Sequence, residues 1–452
     1  MPSSQDPASD GAAGCGADRT ETQASRMAVA NGKRLGLFGV IGPGLIVAAT
    51  GVGAGDLATG AFTGNKLGVA VLWVVVLGAF IKFVLNEGLA RWQLATGRTV
   101  LEGAVQHLGR PVRYIFLAYL LLWSYFVGSA LISACGVAAH AMVPVFGDPA
   151  HGKIAFGIVH SVLGVVLVLL GGFKLFEKLM AAAIVLMFVT VAATAVLIKP
   201  DWAAVGRGIA VPTIPQLAGE GLPWTIALMG GVGGTLTVLC YGYRIREKGR
   251  TGAAWLRTCR IDLAVGYGFT AVFGLAMVII GSHIHVESKR GGANLIVTLA
   301  RKLAEPLGPA GRWAFLLGAW CAIFSSLLGV WQAVPYVFAD FCGLWRRRNA
   351  DTNVPPVAID TKSPAYRLYL FAIALVPMIG LLFSFEQVQK AYAIFGALFM
   401  AMLAVTLLLL NGRTAWVGRK LRNRRVTTVV LVLVTVLFAL AFVLETRRRL
   451  GS

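Results

Sequence analysis

Gly51-Val52-Gly53-Ala54-Gly55-Asp56 and, 180 residues later, Gly231-Val232-Gly233-Gly234-Thr235 are the stretches whose reading decides the fold. Each interrupts a long apolar segment with residues that weaken a helix by about 1 kcal/mol relative to alanine. A helix broken inside a membrane exposes backbone N–H and C=O groups, which is tolerated only where they line a cavity or meet a substrate. The matching Gly-Val-Gly triplets lie five apolar segments apart. Five is odd, so the two halves cross the membrane in opposite senses. Glycine interruptions at corresponding positions of inverted repeats point to the central site of a secondary transporter. The competing reading is that these glycines only allow close helix packing, as in GxxxG contacts.

The rest of the chain agrees with a membrane setting. Of 452 residues, 57% are hydrophobic and 13% charged, with a mean hydropathy of +0.75. Soluble domains carry about 25% charge. This balance excludes an ordinary soluble enzyme and a disordered or collagen-like chain. Eleven apolar stretches are long enough to span, at roughly 37–65, 69–94, 113–146, 153–172, 175–198, 223–244, 260–283, 313–343, 366–385, 388–410 and 426–445. The expected fold is an all-α polytopic membrane protein with about 11 transmembrane helices, of which helices 1 and 6 are broken.

Domain boundaries follow from these spans. Residues 1–34, rich in Ser, Ala, Gly and Asp without apolar periodicity, read as a disordered cytoplasmic tail. Residues 35–198 form repeat 1 and 223–410 repeat 2, joined by an extracytoplasmic loop at 199–222. A basic loop and the last span occupy 411–452.

The formal charge of +21 reflects loops rather than nucleic-acid binding. Clusters at Arg244 to Arg260, Arg346 to Arg348 and Arg413 to Arg425 all fall on one side, which the positive-inside rule makes cytoplasmic. The N-terminus is then inside the cell (inner) membrane, and Arg447 to Arg449 dissent, making the last span the weakest placement. The six cysteines form no CxxC pair, so neither a disulfide framework nor a zinc site is expected. No cleavable signal peptide, GxxxxGK[ST], HExxH or GxSxG is visible. Neither an enzyme nor an ATP-driven pump is expected, and no cofactor.

Asp56 is the one acidic residue in the first break. An intramembrane carboxylate is costly and marks a functional site by default, here a cation ligand or counter-charge; it also suits an N-cap of the following helical half. Thr237, three residues past the second glycine cluster, offers a hydroxyl to a hard cation or bonds back to its own helix. Thr50 and Thr59 make weaker claims, and Gln387 and Gln389 offer amide oxygens or interfacial solvation. Lys82 and Glu87 read as a mutual ion pair or as snorkelling side chains. His140 and His160, with no second ligand at i+3 or i+4, read as satisfied core residues. Glu177-Lys178 reads as an interfacial anchor.

Several ordered motifs resemble the Nramp (natural resistance-associated macrophage protein) family. Gly42-Pro43-Gly44-Leu45-Ile46-Val47-Ala48 resembles the opening of its first span. Leu85 to Glu102, with Ala90-Arg91, Thr96-Gly97 and Leu101, is similar to its second span and following loop. Glu177-Lys178-Leu179-Met180 looks like the start of its fifth span, and Leu307-Gly308-Pro309 with Ala314-Phe315 like the start of its eighth. The set covers residues 35 to 410. The resemblance implies a LeuT-like fold of two inverted five-helix repeats, and divalent metal uptake, usually of manganese or iron, coupled to protons.

The departures fall on the family's working residues. Gly53-Ala54-Gly55-Asp56 stands where the family has Asp-Pro-Gly-Asn, and Gly234-Thr235-Leu236-Thr237-Val238-Leu239 where it has Ala-x-x-Met-Pro-His. The thioether ligand becomes Thr237, the proton-pathway His becomes Leu239, and the acidic residues of span three align with Ala130 and Ser133. Methionine sulfur suits soft or borderline metals, whereas oxygen suits magnesium, calcium and manganese. The Met-to-Thr and Ala-to-Gly changes are similar to those of Nramp-related magnesium transporters, which lack proton coupling, although that branch keeps the first-span Asp.

The leading expectation is a secondary carrier of a divalent metal ion of the Mg2+ or Mn2+ class, without tight proton coupling. Asp56, Thr237, and the backbone at Gly53, Gly233 and Gly234 would form the metal site. The expected partners are the divalent ion and the lipid bilayer, with no nucleic acid, and the chain is expected to be a monomer. The alternative is a carrier of a small organic solute such as an amino acid or amine, with Asp56 meeting the amine. A non-transporting sensor or scaffold is the third reading.

Overall fold

A computed structural model describes residues 53–171, 174–284, 292–346 and 360–450. The part of span one before Gly53, with Thr50 and the Gly42 to Ala48 motif, lies outside them, as does the N-terminal tail. The described residues are helical throughout, without strands. Their order is α1 (Thr59–Leu67), α2 (Leu72–Thr96), α3 (Val100–His107), α4 (Arg110–Met142), α5 (Pro149–Leu170), α6 (Lys174–Leu197), α7 (Trp202–Ala210), α8 (Leu222–Gly231), α9 (Cys240–Glu247), α10 (Leu256–Gly281), α11 (Leu295–Arg346), α12 (Pro364–Leu375), α13 (Phe385–Gly412), α14 (Thr414–Leu421) and α15 (Arg425–Leu450).

Ten helical runs among the described residues are long and apolar enough to cross a membrane. Most of the expected first span lies before the described residues, and its described part runs on into span two as Gly55–Thr96. The chain turns between α1 and α2 at Gly68, whose φ of 69° favours glycine. The loop expected at 199–222 contains α7, whose start is capped by the Asp201 carboxylate accepting from the Ala203 and Ala204 N–H groups. Span eight begins earlier than residue 313: α11 runs from Leu295 and is interrupted at Gly308, φ 65°. Local signals set other ends. Thr99 with Glu102 and Ser384 with Gln387 form capping boxes that start α3 and α13.

Packing sorts the spans into inner and outer sets. All ten residues of α8 are buried, as expected of a helix that is apolar on every face. It packs against α13, while α1 and α2 pack against α10. Around these, α6 and α4 lie against α11, and α5 against α4. Outward faces stay apolar: Val185 and Val189 on α6, and Val429 and Leu433 on α15, are more than half exposed. In water such faces would be unstable; against lipid tails they are matched. Helix α15 packs mainly on α13 and is the most peripheral span.

Candidate ion site at the breaks of spans one and six

Span six breaks where the glycines predict. Helix α8 ends at Gly231, residues 232–235 are not helical, and a single 3-10 turn, Leu236–Leu239, leads into α9. Gly233 and Gly234 adopt φ of 71° and 86°. A Cβ on Gly233 would also lie 2.9 Å from the Tyr267 ring of α10. Both requirements exclude other residues there. On the span-one side, residues 54–58 form a short π-helical turn before α1, the kind of irregular helix found at functional sites.

Asp56 sits in that turn, fully buried. It does not cap α1; its Oδ1 instead accepts the Gly233 N–H, 3.0 Å away across the two breaks. Its Oδ2 is buried without a hydrogen-bond partner. Gly53 lies against α11, where a Cβ would meet Ser326 Oγ, and the Ala322 carbonyl at 2.9 Å. Its carbonyl accepts the Leu57 N–H at 3.1 Å and keeps a second lone pair.

The residue that sequence reasoning misplaced is Lys82. It does not pair with Glu87, nor does it snorkel. Glu87 accepts from Arg91 of its own helix at 2.7 Å and from Arg260 of α10 at 2.7 Å. Lys82 is fully buried, and its Nζ donates to the carbonyls of Gly230, at 2.8 Å, Val232 and Gly234. One turn on, Asn86 donates to Tyr267 Oη at 2.7 Å. The two breaks thus bring together Asp56, Lys82 and the backbone of residues 230–234.

Thr237 is placed one turn farther along span six, at the wall of a cavity of about 690 Å3. Cys240, Tyr243, Arg244, Gln332 and Tyr366 also line it. The opposite end of the same helices is closed. Phe62 of α1 lies 5.7 Å from Trp224 of α8 and 5.6 Å from Phe385 of α13. Beyond these rings, Lys66 pairs with Glu386 at 3.2 Å and Lys390 with Glu220 at 3.0 Å. Of the candidate donors, Thr237 lines the cavity at the Arg244 end, while Asp56 is fully buried, and aromatic rings and ion pairs pack the other end.

Several of the remaining candidates have ordinary partners, whereas His140, expected to be satisfied, is buried with its Nδ1 unpartnered. Thr59 Oγ1 accepts from Gln389 Nε2 at 2.9 Å, and Gln387 serves as a cap. His160 Nδ1 contacts the Phe156 carbonyl and its Nε2 accepts from Trp320, both in the core. Ala130, Ser133 and Leu239 are buried. No cluster of three or more His, Cys, Asp or Glu side chains exists among the described residues, so an ion held at the breaks would draw on one carboxylate and backbone oxygen.

Comparison with known proteins agrees with this architecture. The "Divalent metal cation transporter MntH" of Deinococcus radiodurans is 23% identical over 417 residues, covering 83% of this chain and 89% of that protein. Its namesake from Verminephrobacter eiseniae is 26% identical over 365 residues, covering 76% and 79%. Among solved structures, the Eremococcus coleocola manganese transporter superposes with a TM-score of 0.66 at 16% identity, over 89% of this chain and 85% of that one. MhsT, solved with L-phenylalanine, gives a TM-score of 0.57 at 15% identity, over 89% and 98%. These two likenesses place the helices in the LeuT-like fold of inverted repeats with broken first and sixth spans. The family model described as natural resistance-associated macrophage protein-like matches residues 44–445, nearly the whole membrane-spanning part, and the chain belongs to that family.

Proposed function

We propose that the protein is a secondary carrier for a divalent metal ion of the Mg2+ or Mn2+ class, working by alternating access without tight proton coupling. One observation carries the reading: the buried Asp56 carboxylate has one oxygen fixed on Gly233 and the other without a partner, beside a run of carbonyls freed by the span-six break. Burying that charge is costly unless something restores its interactions, and a hard cation does so. Asp56 neutralises the ion. The carbonyl of Gly234, that of Gly53 and the Thr237 hydroxyl supply neutral oxygens, and retained water completes the shell, as magnesium prefers. Gly233 holds the carboxylate through its N–H.

The donor set supports an oxygen-only, hard-ion site, since Thr237 stands where a thioether would favour softer metals. Ala130, Ser133 and Leu239 replace titratable groups with inert ones, which supports uptake without a proton. None is thermodynamically required, because each charge crossing 100 mV contributes about 2.3 kcal/mol. In this reading the Arg244 end is cytoplasmic and the cavity beside Thr237 is the inward path. The organic-solute alternative gains nothing from the relatives, whose names are those of divalent-metal transporters.

The test is uptake into proteoliposomes under a negative-inside potential, with Mg2+, Mn2+ and Ca2+ compared and internal pH recorded. Entry of Mg2+ or Mn2+ without acidification is expected. No flux of any of the three, from protein shown to be folded, would remove the metal reading.

A further inference from the structure

The carbonyls on which an ion at the span-six break must draw already hold a cation. An ammonium has three donors and no acceptor, and Lys82 directs its donors to Gly230, Val232 and Gly234. These groups lie at and just beyond the C-terminus of α8, where the aligned peptide dipoles place partial negative charge. The peptide between them, Gly233 N–H, is the one that holds Asp56. Ammonium and carboxylate therefore share one five-residue backbone segment, and both side chains are fully buried.

We propose that Lys82 is a tethered cation occupying the carbonyl half of the ion site, and that a transported divalent ion binds by displacing its ammonium. The proposal rests on the divalent-metal reading above. Lysine suits this role because its charge is compact and sits on a flexible four-carbon stem, so it can leave without the helix moving. Displacement also selects by charge. A monovalent ion would exchange one positive charge for another and gain little Coulomb energy while still having to move the side chain. A divalent ion gains twice the attraction to Asp56 and to the carbonyl dipoles at the same separation. Lys82 is thereby a specificity-determining residue that excludes monovalent cations.

A purely structural role for Lys82, as a tie between span two and the break, predicts the opposite outcome on removal. The experiment is Mn2+ and Mg2+ binding to the purified full-length protein by isothermal titration, for wild type, Lys82→Gln and Asp56→Ala, with excess K+ as competitor. Displacement predicts that Lys82→Gln binds Mn2+ at least roughly tenfold more tightly than wild type, that K+ now competes, and that Asp56→Ala abolishes binding. Equal or weaker Mn2+ binding by folded Lys82→Gln overturns the displacement and leaves the metal reading standing. Absence of Mn2+ and Mg2+ binding in both wild type and Lys82→Gln overturns both. A measurement on wild type covers the case in which the variant fails to fold. Saturating Mn2+ should raise the reductive methylation of Lys82, read by peptide mass spectrometry, and unchanged labelling overturns the proposal.

Discussion

Asp56 and Gly233 stand 177 positions apart in sequence and are joined by one 3.0 Å hydrogen bond from the Gly233 N–H to Asp56 Oδ1. The bond links the break of the first repeat to that of the second. It satisfies one of the backbone donors released where α8 ends, which a lipid-facing helix could not leave unpaired. It also leaves the second carboxylate oxygen buried without a hydrogen-bond partner, so the residue that closes the backbone gap keeps one oxygen uncommitted by any hydrogen bond.

The two functions of Asp56 are separable. Asp56→Asn keeps an oxygen for Gly233 but removes the charge, whereas Asp56→Ala removes both. Each also removes the carboxylate charge from the backbone segment that Lys82 binds. Both variants should therefore lose divalent uptake, with Asp56→Ala the less stable of the two. Uptake in proteoliposomes beside thermal unfolding in detergent checks this; wild-type flux from Asp56→Asn would show that the charge is not used.

Glycine is required at the break for two reasons that substitution can split. Gly233→Ala places a non-glycine residue at φ 71° and drives a Cβ to 2.9 Å from Tyr267. Gly68→Ala also demands a positive φ, 69°, with ψ of −158° and nothing within 4 Å. A non-glycine residue held there costs roughly 1–3 kcal/mol, so Gly68→Ala should lose about that much stability and retain transport. Gly233→Ala should lose more and lose ion binding too, because Tyr267 cannot shift without disturbing Asn86. Chemical denaturation of the two variants side by side gives the ranking.

The glycine echo and the one carboxylate in the first break made Asp56 legible in the sequence, since both are local signals with a known physical cost. The Thr237 side of the cavity was legible for the same reason, as a polar residue in register with the second break. Lys82 was not, because its partners are backbone carbonyls 148 to 152 residues away, which leave no mark in side-chain identity. Its apparent partner, Glu87, lies at i+5, which turns away from it on a helix. The neighbour at i+4 from Glu87 is Arg91, and that pair forms.

That pair makes its own prediction. Glu87 accepts from Arg91, 3% exposed, and from Arg260, 43% exposed. Arg91 also donates to the Leu421 carbonyl of α14. Glu87→Gln strands the buried Arg91 guanidinium and should destabilise the protein by about 3 kcal/mol or more. Arg260→Ala removes the more exposed partner of a network that survives, and should cost roughly 1 kcal/mol or less. Unfolding midpoints should fall in that order, with ion selectivity unchanged in both. Equal losses would mean that the two arginines hold Glu87 equally.

In the alternating-access reading proposed above, the packing at the far end would set how often the Thr237 cavity is open. In a Cys240→Ser background, Thr237→Cys reports that cavity through its rate of thiol labelling, read at the peptide. The Lys66–Glu386 and Lys390–Glu220 pairs are partly exposed, Glu220 to 48%, and such pairs contribute about 0.2–1 kcal/mol each. Glu220→Gln with Glu386→Gln should therefore slow labelling only a few-fold, as the far end opens slightly more often. Trp224 is fully buried against Phe62, and truncating a buried aromatic costs about 3–5 kcal/mol. If alternating access breaks that contact when the far end opens, Trp224→Ala should slow labelling far more than the double charge variant. Equal rates in all three proteins would show that the aromatic contact does not govern access, and that the two ends open independently.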